Sequence, residues 1–233
     1  MKNFIVIPTY NEKENISLLV EQIFSLIPDI NILVVDDNSP DGTAEAISEL
    51  MPRYPNLALL KRPKKEGLGG AYIQAFRQLL SDSEIENLIM MDADFSHSSK
   101  YLPRMLEEIK NYDLVIGSRY IKGGGITHWE LWRRLLSWGG NFYVQLLLGW
   151  GIHDWSSGYN CIRASVLRKV DLDKIEFSGY AFISSLKYFL IKAGARVKET
   201  PIIFEERRGG RSKMSGNIIS EGILAPWKLL FTK

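Results

Sequence analysis

Unbroken apolar runs of about four residues, each running into a polar loop, set the pattern of the first half of the chain. Phe4-Ile5-Val6-Ile7, Ile32-Leu33-Val34-Val35, Leu57-Ala58-Leu59-Leu60 and Leu88-Ile89-Met90-Met91 lack the alternation of a half-exposed strand. Such runs fit strands covered on both faces, as in a parallel sheet. Between them the period lengthens to that of a helix. Leu18, Leu19, Ile23 and Leu26 share one face, a second helix is expected to about Met51, and a third from Ala71 to about Leu80. Further on, Ser98 is placed to cap a helix carrying Leu102, Met105, Leu106 and Ile109. Leu114-Val115-Ile116 reads as another buried strand and Asn160-Cys161-Ile162-Arg163 as a short one. Helices are expected near Ala164 and from about Ala181 to Lys192, and a late strand over 198–204, where Pro201 implies an edge position. Strands alternating with helices in this way predict an α/β fold with a mostly parallel central sheet flanked by helices.

In such sheets ligands bind at the carboxyl ends of the strands. The polar segments at Tyr10, 36–41, 61–70 and 92–94 all fall at that edge, and Gly117-Ser118-Arg119 joins them. Asp92 and Asp94 stand at i and i+2 where a strand gives way to a loop, and two unpaired carboxylates are costly to bury there. A hard divalent cation, Mg²⁺ or Mn²⁺, removes that cost and bridges to substrate phosphates; two solvated loop aspartates are the alternative. Gly67-Leu68-Gly69-Gly70 lacks the G-x-G-x-x-G spacing of a dinucleotide fingerprint and follows the third strand, so it reads as a helix entry that lets backbone approach a ligand, or as a plain helix N-terminus. The Gly- and Arg-rich segment 205–213 is either a flexible phosphate clamp or a solvated basic loop.

Composition narrows the partners. The 233 residues suit a single domain, and a net charge of +2 gives no reason to expect a nucleic-acid partner. The lone Cys161 excludes an internal disulfide and reads as a small buried hydrophobe. No secretory leader is expected, because Pro8 breaks the first apolar run. The longest uncharged stretch, 135–152, contains Gly139, Gly140, Asn141 and Gln145 and falls short of the roughly 20 apolar residues of a membrane span. The segment 129–150 gathers Trp129, Trp132, Trp138, Phe142, Tyr143 and Trp150 beside Arg133 and Arg134. That combination favours a peripheral membrane contact over a helix packed on the sheet.

The motifs together carry a resemblance. Pro8-Thr9-Tyr10-Asn11-Glu12, Val35-Asp36-Asp37-Asn38-Ser39-Pro40-Asp41-Gly42-Thr43, Asp92-Ala93-Asp94-Phe95-Ser96-His97, Gly117-Ser118-Arg119-Tyr120, Ser157-Gly158-Tyr159 and Arg207-x-x-Gly210-x-Ser212-Lys213 resemble, in order and spacing, the family 2 inverting glycosyltransferases. More narrowly the chain is similar to the dolichol- or polyprenol-phosphate mannose synthases. The resemblance implies a GT-A (Rossmann-like) catalytic domain over 1–216, a C-terminal tail over 217–233, GDP-mannose as donor and a polyprenyl phosphate as acceptor. It further implies that Pro8, Tyr10, Glu12, Val35 and Asp37 hold base and ribose, that Asp92, Ala93 and Asp94 hold the diphosphate through Mg²⁺ or Mn²⁺ with Ser96 as a further metal ligand, that Arg119, Arg133 and Ser137 receive the acceptor phosphate, and that Arg207 and Lys213 close over the donor. Asp94, Arg119 and Arg207 are the implied catalytic set. The implied location is the cytoplasmic face of a membrane, with a membrane-anchoring partner subunit left open.

Departures from the family pattern bear on the chemistry. Some members carry Gln where Ser96 stands, the usual His-Pro-Pro is His97-Ser98-Ser99, and a common helix glutamate is replaced by Ser185. A phosphate monoester acceptor has a second pKa near 6 and needs positioning more than deprotonation, so loss of that carboxylate is tolerable. Other readings remain: a UDP-sugar donor such as UDP-glucose, or a non-catalytic nucleotide-sugar-binding subunit that recruits a membrane partner. The missing glycine fingerprint argues against a nicotinamide-dependent oxidoreductase.

Overall fold

The computed structural model describes residues 2–177, 179–206 and 216–231. The elements run β1 (Lys2–Thr9), α1 (Lys13–Leu26), β2 (Asn31–Asp36), α2 (Thr43–Leu50), β3 (Leu57–Lys61), α3 (Gly67–Leu80), β4 (Ile85–Met90), α4 (Leu102–Glu108), β5 (Leu114–Ser118), β6 (Gly125–Ile126), α5 (Leu131–Leu148), β7 (Asn160–Arg163), α6 (Ala164–Leu167), α7 (Gly179–Lys192), β8 (Val197–Pro201), β9 (Ile203–Phe204) and α8 (Gly216–Phe231). Among the described residues β3, β2, β1, β4, β7, β5 and β8 form one sheet in that order, and β6 pairs with β9 beside it. All neighbours in the large sheet are parallel except β7, which runs antiparallel to both β4 and β5.

Successive strand residues feed two cores. Val6, Leu33, Val35, Leu88 and Met90 face the layer that includes α3 and α7, whereas Ile5, Ile7, Ile32, Val34 and Ile89 face the layer that includes α1 and α4. Each buried aliphatic side chain contributes about 1.5–3 kcal/mol. Two covered faces explain why the strands read as continuous apolar runs. Cys161 is buried in the middle of β7, as expected of a small hydrophobe, and burial pushes its thiol pKa up.

Several expectations need adjustment. In α1, Leu19 and Ile23 are buried together with Ile16, Val20 and Phe24, but Leu18 and Leu26 are exposed. The helix is rotated so that its buried stripe follows Ile16 and Val20. Ser98 makes no side-chain cap; a 3₁₀ turn over Ser99–Tyr101 leads into α4, with Pro103 in its first turn. The late strand is interrupted at Ile202, where Ile202 N–H bonds Ser118 O at 3.0 Å and the chain passes from β8 to pair with β6. Pro201 does lie on the edge strand, where its missing N–H costs the ladder nothing. Within 217–233, read as a tail, α8 covers the chain to Phe231. Among the described residues no helix is long and apolar enough to cross a membrane.

Candidate active site

The carboxyl ends of β1 and β2 are tied to each other. Asn11 N–H donates to Ser39 Oγ (3.0 Å), Glu12 N–H to Thr43 Oγ1 (3.0 Å) and Lys13 N–H to Asp41 Oδ2 (3.1 Å). These bonds supply the start of α1 with the acceptors that Glu12, at its N-cap, does not provide. Asp36 accepts from Thr9 Oγ1 (3.0 Å) and Ser39 N–H (2.9 Å). Much of the acidic loop after β2 is therefore scaffolding for the Tyr10 loop. Tyr10 itself lies under the Lys65 ammonium, 3.7 Å from the ring centroid.

Asp37 faces inward. Its carboxylate accepts from Arg62 Nη1 at 2.5 Å and from the N–H groups of Glu66 (3.1 Å) and Gly67 (2.8 Å). It thereby caps α3, whose first residue Gly67 takes φ +85°, a conformation L side chains rarely adopt. Val35 and Ala93 have their side chains in the two cores, so only their backbones can meet a ligand. Pro8 and Glu12 are half-buried, and Glu12 accepts from Asn15 Nδ2 at 3.1 Å.

The acidic loop after β4 is tightly folded. Phe95 holds φ +64°, an outlier for a bulky residue that turns the chain back on itself. Ser96 N–H and Oγ both reach Asp94 Oδ1, at 3.1 and 2.6 Å. Asp92 N–H donates to His97 Nδ1 at 3.0 Å, so Nδ1 carries no proton in this arrangement. His97 is buried, stacked on Tyr159 with centroids 4.9 Å apart. Gly158 lies beside them: a Cβ there would sit 3.3 Å from His97 Cε1 and about 4 Å from the Asp92 carboxylate. Below Asp92, burial and then the Asp92 charge raise the Tyr72 hydroxyl pKa well above its usual value.

Arg119, directly after β5, sits in a buried ion pair. Asp154 Oδ2 accepts from Arg119 N–H (3.0 Å) and Nε (2.8 Å), and Oδ1 accepts from Nη2 (2.7 Å). Nη2 also reaches Ser156 Oγ at 2.7 Å. Burial pushes the Asp154 carboxyl up, but the Arg119 charge and its hydrogen bonds outweigh that and hold it below the usual carboxylate range. Arg119 also stacks over Phe204, 5.3 Å from the ring centroid. Arg133 on α5 lies over Trp129 at 4.7 Å and pairs with Glu206 at 3.4 Å.

One pocket collects Asp92, Asp94, Ser96, His97, Arg119 and Arg133, floored by Ser156, Ser157 and Gly158 and walled by Leu68, Trp129, Ile183 and Phe204. The acidic pair and the two arginines expected from the sequence thus share a cavity. Ser137 does not line it: one turn beyond Arg133, its Oγ accepts from Tyr120 Oη at 2.7 Å. Pro8, Tyr10, Glu12, Val35 and Asp37 do not line it either; they belong to the β1–β2 part of the same sheet edge. Arg207 and Lys213 lie outside the described residues. Ser185 is buried and donates back to Ala181 O at 2.7 Å, so α7 offers the pocket no carboxylate or hydroxyl there. Asp154 and Lys187 were not singled out as site residues from the sequence. A lysine among Phe182, Ile183, Leu186 and Leu190 was the available signal for the second.

A cation fits this loop only in part. Among the described residues no cluster of three His, Cys, Asp or Glu side chains could hold a metal by itself. Two carboxylates and a serine hydroxyl at one strand end instead suit an ion shared with a substrate diphosphate.

Residues 4–171 match the family described as "Glycosyl transferase family 2". The chain belongs to that family. As a family 2 glycosyltransferase it is 42% identical over 224 residues to the undecaprenyl-phosphate mannosyltransferase of Micrococcus luteus, covering 96% of this chain and 92% of that one. It is 43% identical over 231 residues to the polyprenol monophosphomannose synthase of Mycolicibacterium smegmatis, covering 97% and 86%. The dolichol-phosphate mannosyltransferase of Pyrococcus furiosus is 36% identical, and 64% of its length is covered by 99% of this chain. Among solved structures, mannosyl-3-phosphoglycerate synthase from Rubrobacter xylanophilus superposes with a TM-score of 0.68 at 18% identity, covering 99% of this chain and 73% of that one. A mannosyltransferase from Pyrobaculum calidifontis in complex with GDP-Man and Mn2+ gives 0.60 at 17% identity, covering 90% and 58%. At these identities the structures speak to the fold, which is GT-A, as the motifs implied.

Proposed function

We propose that this glycosyltransferase moves mannose from GDP-mannose to a polyprenyl phosphate, with Mg²⁺ or Mn²⁺, to give polyprenyl phosphate β-mannose. The observation that carries the reading is the shared pocket, which is lined by Asp92 and Asp94 together with Arg119 and Arg133. Asp92 and Asp94 would hold the cation, with Ser96 beside them. When bound, the cation supplies positive charge to the leaving diphosphate. Arg119, locked by Asp154, and Arg133 receive the acceptor phosphate. An acceptor phosphate oxygen attacks the anomeric carbon as the bond to the diphosphate oxygen breaks, so GDP leaves and the configuration inverts from α to β. The acceptor is already largely anionic at neutral pH, which suits a helix whose Ser185 is buried and bonded to Ala181 O, leaving no carboxylate base there. Arg207 and Lys213 are proposed to close over the donor, and the Tyr10 and Asp37 loops to form the base and ribose end.

The test uses purified protein, a short polyprenyl phosphate in detergent, and GDP-mannose or UDP-glucose with and without Mn²⁺. Transfer from GDP-mannose that stops with EDTA and returns with Mn²⁺ is the expected result. Transfer from UDP-glucose alone would replace the donor. GDP binding without transfer across several acceptors would favour a non-catalytic subunit.

The acceptor's lipid chain accounts for the outer surface. On α5, Leu131 is 72% exposed, with Trp132, Leu135, Trp138 and Leu146 also in the open. On α8, Ile223, Leu224, Trp227 and Phe231 continue that face, and Tyr143 Oη ties the two helices by donating to Ile223 O at 2.7 Å. An apolar area of this kind, rich in tryptophan, suits the lipid headgroup boundary. The protein is therefore proposed to sit peripherally on the cytoplasmic membrane face, directly or with an anchoring partner subunit. Replacing Trp132, Trp138 and Trp227 together by serine is expected to lower flotation with phosphatidylglycerol vesicles by about tenfold or more, leaving transfer to a detergent-soluble acceptor intact. Unchanged flotation would refute the lipid contact.

A further inference from the structure

The pocket floor rests on a charge that the reaction scheme leaves unused. Lys187 of α7 is 1% exposed. Its Nζ donates to the backbone carbonyls of Asp154 (2.7 Å), Trp155 (3.2 Å) and Ser157 (2.9 Å). These carbonyls belong to the loop that supplies Asp154 to Arg119 and Ser156, Ser157 and Gly158 to the pocket. The loop is also held by Glu199 of β8, which accepts from the N–H groups of His153 and Asp154, both at 3.0 Å, and pairs with the exposed His153 ring at 2.7 Å, and by Asn141 of α5, which exchanges hydrogen bonds with Ser156 at 3.0 and 3.1 Å. Lys187 is thus faced by the carboxylates of Asp154 and Glu199 and by the Arg119 guanidinium.

Resting on the function proposed above, we propose that Lys187, in its ammonium form, is a positioning residue that holds the 154–158 loop so that Arg119 is presented to the acceptor phosphate. An ammonium has three protons for three carbonyls, and a neutral amine has two. The Ser157 carbonyl keeps a second donor, Asn160 Nδ2 at 2.9 Å, so the lost proton is felt at the Asp154 or Trp155 carbonyl, a cost the loop relieves by shifting. With the loop moves the Asp154 carboxylate, and with it the orientation of Arg119. The acidic pair is built on β4 and its own loop and meets the 154–158 loop near Gly158, away from the Asp154 and Trp155 carbonyls, so donor handling should be affected far less.

The ionisation is within reach of ordinary pH. Burial, partly countered by Asp154 and Glu199, pushes the Lys187 pKa down to about 7. Loss of the competent form raises an apparent dissociation constant in proportion. The dissociation constant for farnesyl phosphate in detergent micelles should therefore rise about 20-fold between pH 6.5 and 8.5. Ionisation of the acceptor phosphate works in the opposite direction over this range and cannot supply the loss. The constant for GDP in the presence of Mn²⁺ should change far less over the same range.

The experiment measures both constants by calorimetry, with transfer rates alongside, for the wild type, Lys187→Met and Lys187→Gln. The variants should bind farnesyl phosphate weakly at every pH, with no midpoint near 7. A lysine that only filled space would lower thermal stability and leave the pH midpoint in place, overturning the proposal. Should neither variant fold, the wild type decides: in protein labelled with ¹³C at lysine Cε, one signal should titrate with the same midpoint as farnesyl phosphate binding. Absence of such a signal, or binding that is level with pH, overturns it. Binding that follows Lys187 with no transfer from any donor would retire the mannosyl-transfer reading and leave this one standing.

Discussion

Asp94→Asn is expected to lower the transfer rate by about 10²–10³-fold at saturating donor and acceptor, the scale of losing one preorganised charge contact to the transition state. The substitution is chosen for what it keeps. Ser96 N–H and Oγ both donate to Asp94 Oδ1, and an asparagine Oδ1 can accept both, though more weakly than a carboxylate. The turn through Phe95 is therefore retained, and thermal stability should move by no more than about 1 kcal/mol. What is removed is half of the negative charge offered to a cation, so the Mn²⁺ concentration for half-maximal rate should rise. Full activity at ordinary Mn²⁺ would disprove the metal assignment.

Asp154→Asn carries the largest expected effect on stability. Asp154 is fully buried and binds Arg119 through three hydrogen bonds. Removing one partner of a buried ion pair strands the other, at a cost of about 3–5 kcal/mol. For a domain of this size that corresponds to about 6–20 °C in the unfolding midpoint, measurable by calorimetry. The pH dependence has a definite sign. The folded carboxyl pKa lies below its unfolded value, so the contribution is present above about pH 4 and is lost as pH falls through the folded pKa. The difference between wild type and variant should shrink in that acid range. Affinity for the acceptor should also fall, because Arg119 loses its orientation.

The parallel half of the sheet was legible because burial on both faces leaves a continuous apolar run, and the short length and polar flanks of each run separate it from a buried helix. The Asp92–Asp94 pair was legible for the same reason: strand ends in a parallel sheet deliver loops to a common edge. What escaped was pairing across distance. Nothing near Arg119 in sequence announces that Asp154 neutralises it, and nothing near Asp37 shows that its carboxylate caps the helix beginning at Gly67. Leu18 and Leu26 misled because apolar side chains lie on the outer as well as the inner face of α1, and periodicity weighs them alike. Ser98 was read as a cap from its residue type, whereas the approach through a 3₁₀ turn left its hydroxyl out of that role. Lys187 had a local signal, a cation inside an apolar helical stripe, whose meaning depends on the carbonyls it meets.

The reversal of β7 has a consequence for how such an enzyme could change its substrate. Because β7 runs against β4 and β5, the loop preceding it opens at the edge where its neighbours end. The floor beside Arg119 is thereby made from a segment that takes no part in the β1–β2–β3 half. Under the proposed reaction, the β1–β2–β3 half meets the donor and the segment around Arg119 meets the acceptor. Changes to side chains of 119–156 that leave Gly158, Tyr159 and β7 in place, since these pack on Asp92, His97 and β4, would alter the recipient while keeping the strand that leads to Asp92 and Asp94.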